Sequence, residues 1–174
     1  MAERLWSPSE QKRKSSLIQK FIDNSSLNFD NYFDLHEWSV NNIEDFWSKF
    51  WNFSGIVYSK TYDSVLTNPT MPGAKWFEGS RLNFAENLLS GKSGQIAIIA
   101  TGEGRKDQIF TFKDLNIAVA SAQKGLRKLG VKSGTRVAAF VPNCVETVIL
   151  MLAATASGAI WTSCSPDFGS QGVI

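Results

Sequence analysis

At 174 residues and a net charge of +2, the chain has room for one domain, or for a small cap and part of a larger domain, and its charge does not by itself draw it to nucleic acid or a membrane. Hydrophobic residues make up 43% and charged residues 20%, the balance of a globular protein able to bury a core. No apolar run reaches the roughly 20 residues of a bilayer span, Met1-Ala-Glu-Arg-Leu-Trp6 lacks the pattern of a signal peptide, and the two cysteines read as reduced thiols, so a cytoplasmic protein is expected.

Ser7-Pro8-Ser9-Glu10 predicts a helix start, with Ser7 as cap, Pro8 at the first helical position and Glu10 closing a capping box. Leu17, Ile18, Phe21 and Ile22 form an apolar stripe at helical spacing that fades at Asp23-Asn24-Ser25-Ser26, while Lys12, Arg13 and Lys14 read as a solvated face. From Phe29 to Phe53 the sequence is dense in aromatics. Phe46, Trp47, Phe50 and Trp51 share one face of a second helix, capped by Asn42 or Asn41 and carrying Glu44 and Asp45 in its first turn. That face is expected to be core, with Trp47 among its buried rings; base stacking or partner recognition is the competing use. His36, the one histidine, reads as a packing or hydrogen-bonded residue, because zinc sites and catalytic triads draw on more histidines or a cysteine cluster. Gly55 to Asn83, punctuated by Asn68-Pro69, Met71-Pro72-Gly73 and Gly79, reads as an irregular but ordered connector in which Trp76 and Phe77 need burial.

Gln95–Thr101 and Gln108–Thr111 flank Gly102-Glu103-Gly104 as a hairpin. Thr111 and Asp114 then mark a helix start, Leu115, Ala118, Val119, Ala122, Leu126 and Leu129 make its stripe, and Gly130 stops it. Two glycine motifs fail on mechanism. Gly91-Lys92-Ser93 would need a glycine where Glu86 stands, and a strand rather than a helix follows, so it reads as a turn. Gly102-x-Gly104 has Asp107 at the place of the third glycine of a dinucleotide fingerprint.

Arg136–Pro142, Val145–Gly158 and Ile160–Ser163 read as strand, helix and strand, one βαβ crossover of a parallel sheet, and the chain stops where a nucleotide-binding fold has begun. Cys144 and Cys164 follow the two strands; with no base nearby in sequence, each reads as a small buried residue rather than a nucleophile. Ser165-Pro166-Asp167-Phe168-Gly169 leaves the carboxyl end of a parallel strand, where ligands bind in such sheets. Two readings of it stand: a ligand-contact loop, or an ordinary strand–helix turn with Asp167 or Ser170 capping the next helix.

Pro72-Gly-Ala-Lys-Trp-Phe77 with Leu82-Asn-Phe-Ala-Glu-Asn-Leu88 resembles the segment that joins a helical cap to the adenylation domain in acyl-CoA synthetases of the acetyl-CoA synthetase type, part of the adenylate-forming (AMP-binding) superfamily. Thr111-Phe-Lys-Asp-Leu115, Gly130-Val-Lys-Ser-Gly134 and Arg136-Val-Ala138 are similar to its first subdomain, and Leu35-His-Glu-Trp-Ser39 and Ser163-Cys-Ser-Pro-Asp-Phe-Gly169 bring the chain nearest to the acetoacetate-activating branch.

The resemblance implies an α/β fold: an aromatic-rich helical cap over residues 1–90, then a truncated adenylation domain over 91–174 opening with the parallel βαβ unit. It implies an acid–thiol ligase of lipid and ketone-body metabolism that joins acetoacetate to CoA through an acyl-adenylate. ATP, CoA and Mg²⁺ would serve the full-length enzyme, none held tightly by this chain, and neither nucleic acid nor a membrane would be a partner. It places Ser165, Pro166, Asp167 and Phe168 near the CoA nucleotide, although Phe168 alone matches the relatives residue by residue there. It also places the phosphate loop, the other nucleotide motifs and the catalytic lysine beyond Ile174, so no catalytic residue is assigned and the chain by itself is expected to be inactive. The alternatives are a ligase for acetate, propionate or another short acid, and a non-catalytic binding or scaffold module.

Overall fold

A computed structural model describes residues 5–173; Met1–Arg4, the start of the segment read for a signal peptide, and Ile174 lie outside the described residues. The chain divides into two compact units, Met1–Arg81 and Leu82–Ile174.

The first unit holds α1 (Glu10–Lys14), α2 (Leu17–Ser25), α3 (Tyr32–Asn41), α4 (Ile43–Ser54), β1 (Ser64–Asn68) and β2 (Lys75–Glu78). Its start differs from the expected one. Ser9, not Ser7, caps α1 by accepting the Lys12 N–H at 3.2 Å, and Ser16 caps α2 by accepting from Gln19, also at 3.2 Å. The competing serines at 15 and 16 close one helix and open the next, because each hydroxyl offers the backbone a local partner in place of the helical ladder. Asn31 caps α3, an element the aromatic density concealed, through bonds from Phe33 N–H at 2.8 Å and Asp34 N–H at 3.3 Å. Asn42 stands at the start of α4 but turns its amide back to donate to the Trp38 carbonyl at 3.0 Å.

The aromatic face of α4 is core only in part. Trp51 is 7% exposed, packed on Phe77, Tyr62 and Tyr58 with ring centroids 4.9, 5.2 and 5.3 Å away. Trp47, expected to be buried, is 36% exposed. It lies one turn earlier and meets Trp76 and Phe77 edge-on, at 5.8 and 6.4 Å. Phe21 of α2 is buried against Phe46 and Phe53. His36 is exposed on α3, 6.1 Å from the Tyr32 ring, rather than enclosed by the aromatics around it in sequence.

The expected connector contains structure. β1 and β2 pair antiparallel with a bulge between Leu66 and Asn68. Thr67 donates to Glu78 across the pair; that bond first, and Lys75 second, hold the Glu78 carboxyl below its ordinary range. Trp76 remains half-exposed, whereas Phe77 is half-buried at a left-handed φ of +48°, a strained conformation for an aromatic that the rings of Trp51 and Tyr62 hold in place. Gly79, at φ +85°, sits against the Asp63 side chain where a Cβ would overlap it.

The second unit holds α5 (Phe84–Leu88), β3 (Ile96–Ala100), β4 (Gln108–Thr111), α6 (Phe112–Lys128), β5 (Arg136–Phe140), α7 (Val145–Ala156), β6 (Ile160–Cys164) and α8 (Ser170–Val173). The expected hairpin is present as the antiparallel β3–β4 pair. Thr111 and Asp114 form the capping box of α6: Thr111 Oγ1 accepts the Asp114 N–H at 3.2 Å, and Asp114 Oδ2 accepts the Thr111 N–H at 3.1 Å. Gly91-Lys92-Ser93 lies in a turn, and a Cβ at Gly91 would overlap the Phe112 ring, so the glycine serves packing. Asn83 caps α5 by accepting from Glu86 N–H at 3.1 Å and donates from Nδ2 to the Thr155 carbonyl on α7 at 3.0 Å. The core is Ala85, Leu115, Val119, Leu152 and Ala153. β5 and β6 pair in parallel from Arg136↔Ile160 to Phe140↔Cys164 with α7 as the crossover, the predicted βαβ unit.

Candidate functional site

Two segments leave the carboxyl edge of the parallel pair. Both start from the last register pair, Phe140↔Cys164, where Val141 N–H donates to the Cys164 carbonyl at 3.3 Å. This edge is where a parallel sheet presents loops to ligands.

The first segment, Val141 to Cys144, enters α7. Cys144 stands at the N-cap position without a side-chain cap bond; its thiol lies 3.4 Å from Thr147 Oγ1, which itself donates to the Pro142 carbonyl at 2.8 Å. Asn143, Cys144 and Glu146 line one side of a cleft of about 320 Å³, and Arg105 and Lys106 from the β3–β4 hairpin line the other. The Glu146 carboxyl is held below its ordinary range, first by its own backbone N–H, then by the Cys144 side chain, with Arg105 adding a weaker attraction. Cys144 and Cys164 are both half-buried free thiols rather than enclosed ones. Sequence reading singled out Cys144 but not the basic pair, whose only local signal is charge at a hairpin tip.

The second segment is Ser165 to Phe168, all four residues of the predicted site. They form a tight turn. Ser165 Oγ donates to Asp167 Oδ2 at 2.8 Å and accepts the Asp167 N–H at 3.3 Å, and Phe168 N–H donates to the Ser165 carbonyl at 3.1 Å. Pro166 occupies the second turn position, where its fixed φ is favoured. Asp167 thus turns its carboxylate back into the turn; the alternative cap, the Ser170 side chain, lies outside the described residues. Phe168 is 55% exposed and rests over Gly172, where a Cβ would stand 3.6 Å from its own. The turn presents one aromatic ring to solvent on a backbone its neighbours hold in shape.

Among the described residues, no three His, Cys, Asp or Glu side chains gather where they could hold a metal ion, and no helix is long and apolar enough to cross a membrane.

Known proteins match both units. The family description "Acetyl-coenzyme A synthetase N-terminus" matches residues 32–88, and "AMP-binding enzyme" matches residues 86–173. The chain is 44% identical to the acetoacetyl-CoA synthetase of Xenopus tropicalis over 99% of its own length and 27% of the relative's. It is 49% identical to that of Mus musculus over 83% of its own length and 22% of the relative's. The solved acetoacetyl-CoA synthetase from Streptomyces lividans has the same fold, with a TM-score of 0.89 at 34% identity over 99% of this chain and 28% of that one. The chain spans about a quarter of the length of the curated relatives it matches.

Proposed function

The chain belongs to the AMP-binding enzyme family, and from that premise we propose that it is the amino-terminal part of an ATP-dependent acetoacetate–CoA ligase. One observation carries the reading: similarity to acetoacetyl-CoA synthetases runs through 99% of the chain rather than through one motif. In this reading residues 1–90 are the cap and 91–174 open the adenylation domain, with α5 the piece of the cap that packs on α7.

The reaction has two steps. A carboxylate oxygen of acetoacetate attacks the α-phosphorus of ATP, forming acetoacetyl-adenylate and releasing pyrophosphate. The CoA sulfur then attacks the acyl carbon, the thiol proton departs, and AMP leaves with the bonding pair. Mg²⁺ would offset phosphate charge in the first step; no residue of this chain is assigned to that step, and the chain alone binds neither ATP nor CoA tightly. Its contribution is the β5–β6 edge, where Ser165, Pro166, Asp167 and Phe168 lie against the CoA nucleotide in the second step. The full-length enzyme works in the cytoplasm on small molecules, within lipid and ketone-body metabolism, with neither nucleic acid nor a membrane as partner.

The test is substrate competition in the full-length protein that contains this chain. With ATP, Mg²⁺ and CoA, acetoacetate should give AMP and a thioester with a kcat/KM well above that for acetate or propionate. A preference for either of those acids would replace the substrate assignment. No AMP from any of the three would favour a binding or scaffold module.

A further inference from the structure

We draw no further inference here: the strongest candidate, the apolar groove of about 590 Å³ between α2, α3 and α4 of the first unit, lined by Leu17, Phe21, Leu35, Phe46 and Phe50, is an unpartnered face, and nothing in the structure shows what covers it.

Discussion

Met1–Arg81 buries rings where Leu82–Ile174 buries alanines and aliphatic side chains, and the two choices leave different surfaces behind. In the first unit Trp51 is the hub, with Phe77, Tyr62 and Tyr58 within 5.3 Å between ring centroids. Large rings meeting at tilted and edge-on angles seldom hide one another completely, so Trp47, Phe50 and Trp76 keep over a third of their surface in water. The ring that is hidden carries a cost as well: Trp51 Nε1 is buried without a hydrogen-bond acceptor. In the second unit Ala85 and Ala153 are fully buried beside Leu115, Val119 and Leu152. Small side chains let α5 and α6 approach α7 closely and leave no buried polar atom of this kind among the described residues. Aromatic area thus gives the first unit much of its burial but less closure, and backbone proximity gives the second its closure with less area.

The comparison breaks most visibly at Trp51. Trp51→Ala should destabilise the chain by about 3–5 kcal/mol, and Trp47→Ala by about 2–3 kcal/mol, in proportion to what each hides. Denaturant unfolding of the two variants checks this, and equal losses would mean the α4 face works as a unit. Ala153→Leu should cost about 1–3 kcal/mol by overpacking the α6–α7 contact. A neutral outcome there would show that the second unit has slack. Thr111→Ala should cost about 1 kcal/mol through loss of the α6 cap.

The smallest effect is one of pH. The Thr111 side chain first, and its backbone N–H second, hold the Asp114 carboxyl below its ordinary value of 3.8. A carboxyl lowered in the folded state contributes stability above its unfolded pKa and loses it as pH falls through the folded one. The wild-type chain should therefore lose stability below pH 3.8 faster than Asp114→Asn does, a difference that acid titrations of the melting temperature would read.

The units also differ in how openly the sequence declares them. The second was legible almost throughout, because its signals are local: the Thr111–Asp114 box, the stripe from Leu115 to Leu129, and the strand–helix–strand run from Arg136 to Cys164. The first was not. β1 is Ser64-Val-Leu-Thr-Asn68, too short and too polar to stand out, and it exists because a bulged partner at Lys75–Glu78 reaches it across a turn. α3 carries aromatic and polar residues around much of its circumference, which blurs the helical period. Serines at 7, 9, 15 and 16 offered several caps, and the geometry of one turn decided among them. For the candidate site, the sequence marked Ser165–Phe168 by its place after a strand. It held no hint that Ser165 and Asp167 bond to each other, or that Arg105 and Lys106 line the same cleft as Cys144, since such proximities are made by the fold.

The bond from Asn83 to Thr155 has a consequence in time. Its partners lie 72 residues apart, and the entropy of closing so long a loop has to be met before the bond returns anything. The β3–β4 hairpin and α6 lie within that loop and close over far shorter spans, so they are placed to form first. During synthesis Asn83 leaves the ribosome long before α7 does, and α5 then lacks its anchor until Thr155 follows. The Leu82–Leu88 segment therefore waits on the chain that comes after it, and its docking on α7 marks a late step in assembling the second unit.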